Sequence, residues 1–131
     1  MLGRLALRTG TVWMTYKDLH AFIAALPSAT LSIQWGSDHV YKIGGKMFAV
    51  MGPPDGKSRS LSFKASDESF EILTRLDGVI PAPYLARAKW VQLDKPQRLL
   101  AKELKAYLTR AHALVASSLP KNKQRELGLL E

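Results

Sequence analysis

The sequence predicts an α+β domain of two layers, with helices packed on one face of an antiparallel sheet of about five strands. Three observations support this fold class. Apolar residues recur with helical spacing near both ends of the chain, residues alternate between apolar and polar over 30–35 and 58–64, and a Gly-Gly pair joins two apolar segments. Short turns between consecutive strands favour antiparallel pairing, and helices are expected to cover the apolar face of such a sheet.

The chain has 131 residues and a mass of 14.5 kDa, which fits one domain. We assign residues 15–131 to a single α+β domain and residues 1–14 to an N-terminal extension. Because Met14 stands just before the first helix, residues 1–13 are expected to be either a dispensable extension or the product of a misassigned start site. The extension is basic and contains no acidic residue. Because Arg4 and Arg8 interrupt it, it lacks the continuous apolar core of a signal peptide.

The first predicted helix begins after Thr15, a good N-cap residue, with Asp18 three positions later as in a capping box. Pro27 ends it. One face of this helix is apolar, at Leu19, Phe22, Ile23 and Leu26. In the strand that follows, alternation turns Leu31, Ile33 and Trp35 to one side and Thr30, Ser32 and Gln34 to the other.

The segment HVYKIGGKMFAV (residues 39–50) has two strand-forming arms joined by Gly44 and Gly45. A phosphate-binding P-loop is excluded, because Val40 stands where that motif needs glycine and Met47 where it needs serine or threonine. A two-residue glycine loop is instead typical of a β-hairpin. The predicted register sets Ile43 opposite Lys46, Tyr41 opposite Phe48, and His39 opposite Val50.

The second half of the chain predicts a fourth strand over 58–64, a helix capped by Ser66 or Asp67, and a stop for that helix at Gly78. Pro81 and Pro83 predict a rigid loop, and the residues around Trp90 predict a last strand. The longest helix is expected over 98–119, and the polar tail after Pro120 is expected to add one short helix.

Composition directs the functional interpretation towards polyanions. Nineteen lysines and arginines oppose eleven acids, giving a net charge of +8, which favours nucleic acid or anionic lipid over cations as partners. The chain has no cysteine, which excludes disulfides and suits a cytoplasmic location. No apolar stretch approaches the roughly 20 residues of a membrane span.

The sequence predicts no catalytic residue, no metal site and no cofactor. Its three histidines, His20, His39 and His112, fall on three different elements without metal-ligand spacing, so we expect packed side chains. Glu68 and Glu71 share a helix face without a partner group, as on a solvated surface. No serine occupies a nucleophile-elbow motif.

Five cations are the candidate contacts for nucleic acid: Lys42, Lys46, Lys64, Arg87 and Lys89. Lys42 and Lys64 are expected on a polar sheet face rich in serine, where ammonium groups reach phosphate oxygens without obstruction. The alternative is that serine and lysine here form an ordinary solvated face. Trp35 and Trp90 are expected in the core rather than as stacking surfaces for bases.

Several segments, in order, resemble the MmcQ/YjbR family of small bacterial proteins. They are VYKIGGKMFAVM preceded by Trp35-Gly36, then Leu61 and Lys64, PAPY, KWVQLD and LVASSLPK, and they span about Thr15 to Lys123. The family usually has phenylalanine at the position of Trp35, and Ser-Tyr where this chain has Ala111-His112. The resemblance implies a CyaY-like fold, and DNA binding through β-hairpin wings.

Together, charge and resemblance predict a non-enzymatic domain that binds nucleic acid, DNA in particular, and is monomeric. The alternative is a protein-interaction or chaperone-like module that uses the exposed sheet face for docking. An iron-binding role like that of frataxin is disfavoured, because the first helix offers Asp18 alone as a carboxylate ligand.

Overall fold

The computed structural model describes residues 12–130, and the part of the N-terminal extension before residue 12 lies outside them. The elements are α1 (Tyr16–Ala24), β1 (Ala29–Gln34), β2 (Asp38–Ile43), β3 (Lys46–Met51), β4 (Leu61–Lys64), α2 (Asp67–Leu73), β5 (Val79–Pro81), β6 (Trp90–Leu93), α3 (Ala101–Ser117) and α4 (Lys121–Glu126). Two 3₁₀ turns, Ala86–Ala88 and Pro96–Arg98, flank β6. No helix in this described range is long and apolar enough to cross a bilayer.

The strands form one antiparallel sheet in the order β1-β2-β3-β4-β6-β5. The predicted α+β class is confirmed, and the sheet has six strands rather than about five. The additional strand is β5, which pairs Val79 with Leu93 and Pro81 with Val91. Pro81 lies on an edge strand, where its missing N–H costs no ladder bond, so its presence did not rule out a strand.

Helices α1 and α3 cover one face of the sheet and enclose the core. Leu19 and Ile23 of α1 and Leu104 and Leu108 of α3 are fully buried against the sheet. Thr15 caps α1 as predicted, since its hydroxyl oxygen accepts from the Asp18 N–H at 3.0 Å. We call the opposite side of the sheet the open face, because none of the α-helices between residues 12 and 130 packs there.

The β2–β3 hairpin follows the predicted register only next to its turn. Ile43 pairs with Lys46 and Lys42 with Met47, but Tyr41 pairs with Ala49 and not with Phe48. A β-bulge at Phe48 adds one residue to β3, and beyond it every partner is shifted by one. The predicted pairs of Tyr41 with Phe48 and of His39 with Val50 are therefore wrong, and Phe48 and Ala49 are both buried in succession.

Two predicted element ends also shift. Helix α2 ends at Leu73, and Gly78, with φ of +78°, instead lies in the turn that leads into β5. Helix α3 begins at Ala101, because residues 96–98 form the 3₁₀ turn. The short helix predicted in the tail is confirmed as α4.

The described end of the N-terminal extension contacts the domain. Met14 is buried in the core, and its carbonyl oxygen accepts from the Gln97 amide at 2.9 Å. The Val12 carbonyl accepts from the Ala101 N–H at 2.6 Å, at the start of α3. Residues 12–14 therefore fasten to α3, while the division of the chain at residue 14 stays a prediction.

Candidate nucleic-acid interface

The hairpin turn of the GGK segment packs against the C-terminal end of the helix layer. A Cβ placed on Gly44 would lie 2.6 Å from a Leu119 methyl carbon and 3.3 Å from one of Leu127, so the turn is in close contact with the segments on either side of α4. The Lys46 ammonium donates to the Ser118 hydroxyl at 3.5 Å. The hairpin tip is thus supported by the C-terminal segment and does not project alone.

This contact brings the hairpin lysines to a second basic segment. Helix α4 carries three cations in six residues. Lys42 pairs with Met47, so it lies on the open face and is separated from the Gly-Gly turn by one residue. We call these five residues the tip–tail cluster: Lys42, Lys46, Lys121, Lys123 and Arg125. Over residues 12–130 the one salt bridge is Arg98 with Asp94, so no described carboxylate forms a salt bridge with the cluster.

The other three sequence-predicted cations lie elsewhere. The Lys64 ammonium donates to the carbonyl oxygens of Ala65 and Ala88 and so fastens the 3₁₀ turn to β4. Lys89 places its ammonium 4.9 Å from the centre of the Phe70 ring, in a cation–π contact. Arg87 is exposed in the same turn. The five predicted cations are therefore divided between two places. Lys42 and Lys46 lie at the hairpin tip, and Lys64, Arg87 and Lys89 lie at β4 and the loop before β6.

The cations of α4 were not among the contacts predicted from the sequence, which lie in the hairpin, in β4 and in the loop before Trp90. The sequence nevertheless shows that positive charge is concentrated in the C-terminal part of the chain. Residues 95–130 hold eight lysines and arginines against two acids, whereas residues 12–94 hold nine against eight. Nearly all of the net charge of the described residues thus belongs to the C-terminal helical part.

An aromatic groove of about 510 Å³ crosses the open face. We call it the open-face groove. Trp35 and Tyr84 stand at its walls, and Met47, Val50, Ser62 and Gln92 contribute to its floor. Trp90 is buried as predicted, but Trp35 is 66% exposed, so its predicted place in the core is wrong. Strand β1 ends at Gln34, and a φ of +50° at Trp35 turns that side chain out of the alternation.

The histidines are packed side chains, as predicted, but two of them meet. The rings of His20 and His39 lie 4.9 Å apart, and His20 Nδ1 lies 2.7 Å from the Tyr41 hydroxyl. His20 Nε2 lies 3.1 Å from the Gly52 carbonyl oxygen, and His112 Nε2 lies 2.7 Å from the Pro27 carbonyl oxygen. Within the described chain, no three His, Asp or Glu side chains converge as a metal site would require.

Burial shifts the pKa values of side chains at the contact between α1 and β2. Desolvation lowers the pKa of His20, and the neighbouring His39 lowers it further. Desolvation also raises the pKa of Tyr41 to about 12 and raises that of Tyr16. Both tyrosines are therefore neutral hydrogen-bond donors at physiological pH, and the contact is structural in character.

Comparison with known proteins identifies the family. The family model described as YjbR matches residues 24–114, which run from the last residue of α1 through most of α3. The chain belongs to the YjbR family. The predicted resemblance is confirmed, and the matched range contains the hairpin and the open face but ends before α4.

A solved structure shares the YjbR-type fold. The crystal structure of the Deinococcus radiodurans protein DR2400, described as a DUF419 domain, superposes with a TM-score of 0.76. The two chains are 24% identical, and the match covers 88% of each. This likeness concerns the fold alone. No curated protein matches the chain.

Proposed function

We propose that this YjbR-family chain is a non-enzymatic nucleic-acid-binding domain, acting on DNA in the cytoplasm, and that the tip–tail cluster contacts the phosphate backbone. One observation carries the proposal. The packing of Gly44 on Leu119 and the contact of Lys46 with Ser118 join the hairpin tip to the segment that leads from α3 into α4. A cluster assembled from two separate segments presents several cations to one polyanion.

The distribution of charge favours the tip–tail cluster as the phosphate contact over the lysines that the sequence predicted on the sheet face. Lys121 and Arg125 of α4 are exposed, and Glu126 is the acid of that helix. Each ammonium or guanidinium that meets a phosphate releases condensed counterions, which gives affinity with little sequence preference. Lys64 and Lys89 already have partners in the protein, so they contribute less in this proposal.

The test is fluorescence anisotropy of labelled duplex and single-stranded DNA with the full chain at low and moderate salt. The double variant K121E/R125E should weaken binding about tenfold or more at low salt, because it replaces two phosphate contacts by two repulsions. The matched control is K57E/R75E, which changes the net charge equally at exposed cations in other parts of the chain. Thermal unfolding of both variants checks that they fold.

The comparison of the two variants decides the proposal. Weak binding by K121E/R125E together with near-normal binding by K57E/R75E supports a local interface at the tip–tail cluster. Equal losses in both variants would mean that only global charge matters and would reject the cluster. No binding by the wild-type chain at low salt would reject the function itself.

A protein partner is the second candidate, and edge strand β1 favours it. Leu31 and Ile33 are 49% and 55% exposed although they lie on the helix-facing side of the sheet. An extended segment of another protein could add to β1 through its unpaired backbone groups and cover both side chains. A complex that survives high salt and is lost in the variant Ile33→Lys would favour this candidate over nucleic acid.

A further inference from the structure

The open-face groove has the walls of a site for flat aromatic ligands. Trp35 lies in the β1–β2 turn and Tyr84 in the β5–β6 loop, so the two rings line the groove from two different loops. The Tyr84 side chain is fully exposed, and Trp35 is exposed by two-thirds. Large aromatic side chains held in water at one groove leave ring faces on which a second ring can stack.

Both aromatic residues are held in a strained backbone conformation. Their φ angles are +50° at Trp35 and +67° at Tyr84, in the left-handed region that residues other than glycine seldom adopt. Such strain is concentrated at binding sites in proteins. Because neither ring is buried, packing of the rings does not explain why the fold retains these two strained conformations.

The groove also carries polar side chains without protein partners. Ser62 and Gln92 face each other across β4 and β6 on the floor, and Asp38 lies at the margin beside the Trp35 turn. Among residues 12–130, the side chains of these three residues make no hydrogen bond. A hydroxyl, an amide and a carboxylate offer both donors and acceptors to the edge of a planar ligand.

These groups select a base over other occupants. An apolar peptide would bury the Asp38 carboxylate and the Gln92 amide without partners, which is unfavourable. A phosphate would meet the Asp38 carboxylate, which repels it. A nucleobase stacks on aromatic rings and presents N–H groups to a carboxylate, and guanine presents two adjacent N–H donors on its Watson–Crick edge.

We propose that the open-face groove binds an unpaired base of single-stranded nucleic acid, guanine above all, through stacking on Trp35 and Tyr84 and hydrogen bonding to Asp38. The strand's phosphate lies towards Lys42, which pairs with Met47 on the same face. This inference rests on the proposed function for its ligand class. It assigns the groove a role separate from that of α4, namely to distinguish single strands from duplex.

The experiment compares labelled oligothymidine, the same oligomer with one central guanine, and a duplex, all by anisotropy with the full chain. The variant W35A/Y84A should bind the guanine-containing strand about tenfold or more weakly, because each stacked base contributes strongly, and should bind duplex as the wild type does. The control W35F/Y84F keeps both rings and should retain most of the single-strand affinity. Asp38→Asn should remove the preference for guanine and leave binding of oligothymidine unchanged.

A second readout separates the two proposals. Guanosine monophosphate should quench the fluorescence of Trp35, with the Trp35→Phe protein giving the background from Trp13 and Trp90. Quenching together with guanine-dependent strand binding supports the base site in the groove. Normal duplex binding by K121E/R125E would reject the tip–tail cluster but would leave that support for the groove intact. Quenching without strand binding would assign the groove to free nucleotides and overturn the strand proposal.

The groove proposal can also fail by itself. If W35A/Y84A binds all three nucleic acids as the wild type does, and guanosine monophosphate leaves Trp35 fluorescence unchanged, the groove is not a base site. That result would leave the tip–tail cluster and the proposed function intact.

Discussion

Gly44 and Gly45 show how two adjacent residues of one turn serve different purposes. Both adopt positive φ, +59° and +86°, as a two-residue hairpin loop requires. A Cβ on Gly44 would contact Leu119 and Leu127, while a Cβ on Gly45 would meet nothing within 4 Å. The conformation requires glycine at both positions, and close packing requires it at Gly44 as well.

We predict that Gly45→Ala lowers the free energy of unfolding by about 1–2 kcal/mol, the cost of a left-handed residue with a Cβ. Gly44→Ala should cost about 1–3 kcal/mol more, because it adds a methyl group at a packed contact. Urea denaturation of both variants measures the difference. Equal losses would show that the packing of the turn on α4 contributes nothing.

At the scale of elements, α1 is fastened to the sheet by hydrogen bonds as well as by apolar packing. The Tyr16 hydroxyl donates to the Ser60 carbonyl at 3.0 Å, and His20 joins the Tyr41 hydroxyl to the Gly52 carbonyl. Because one His20 nitrogen must donate to Gly52, neutral His20 accepts from Tyr41 through the other. Protonated His20 would have two donors and would lose that acceptor.

We predict that the domain loses stability as pH falls from about 7 to 5. The pKa of His20 is lowered by burial in the folded chain, while in the unfolded chain it is about 6.5, so the unfolded state binds the proton more readily. Stability from this group is therefore present above the unfolded pKa and is lost below it. The groups that face His20 are Tyr16, His39, Tyr41, Gly52 and Arg59.

Denaturant unfolding at several pH values tests this prediction. The variant His20→Gln should be less stable than the wild type at pH 7 but should lose less stability on acidification. If both proteins show the same pH dependence between 7 and 5, then other groups carry it, and the assignment to His20 is wrong.

At the scale of the whole molecule, the charge is divided between a nearly neutral sheet and a basic C-terminal part. The open face combines Lys42 with Asp38, whereas α4 has three cations and one acid. The protein thus has two surfaces of different chemistry, an aromatic groove on the open face and a basic cluster at the hairpin tip and α4. In the proposed function, the cluster would attract the polyanion and the groove would discriminate its bases.

We predict that duplex affinity falls with salt along a log–log slope of up to about −4.5, since up to five cations of the tip–tail cluster are proposed to contact phosphates at about −0.9 each. In K121E/R125E the slope should become shallower by about 2. Anisotropy titrations over a series of salt concentrations measure both slopes. A wild-type slope near zero would contradict phosphate recognition by the cluster.

Much of the fold follows from the local pattern of residues. Alternation in β1 and β4, the caps of α1 and α2 at Thr15 and Ser66, and the Gly-Gly hairpin depend on neighbours in sequence, so they were predictable. The β-bulge at Phe48 and strand β5 were not, because the bulged Phe48 packs against His112 of α3 and β5 forms only by pairing with β6. Local rules place Pro81 in a loop, and only pairing with Val91 makes it part of a strand.

The sequence by itself determined that this chain is a basic α+β domain with a tight hairpin, because composition and periodicity are local properties, and its motifs carried the resemblance to the YjbR family. The tertiary structure decided which segment packs against the hairpin tip and where Trp35 points. Contacts between residues about 70 positions apart, such as Lys46 with Ser118, join the hairpin to the end of α3. A single positive φ turns Trp35 from the predicted core to an open groove, since one backbone angle redirects a side chain against the alternation around it.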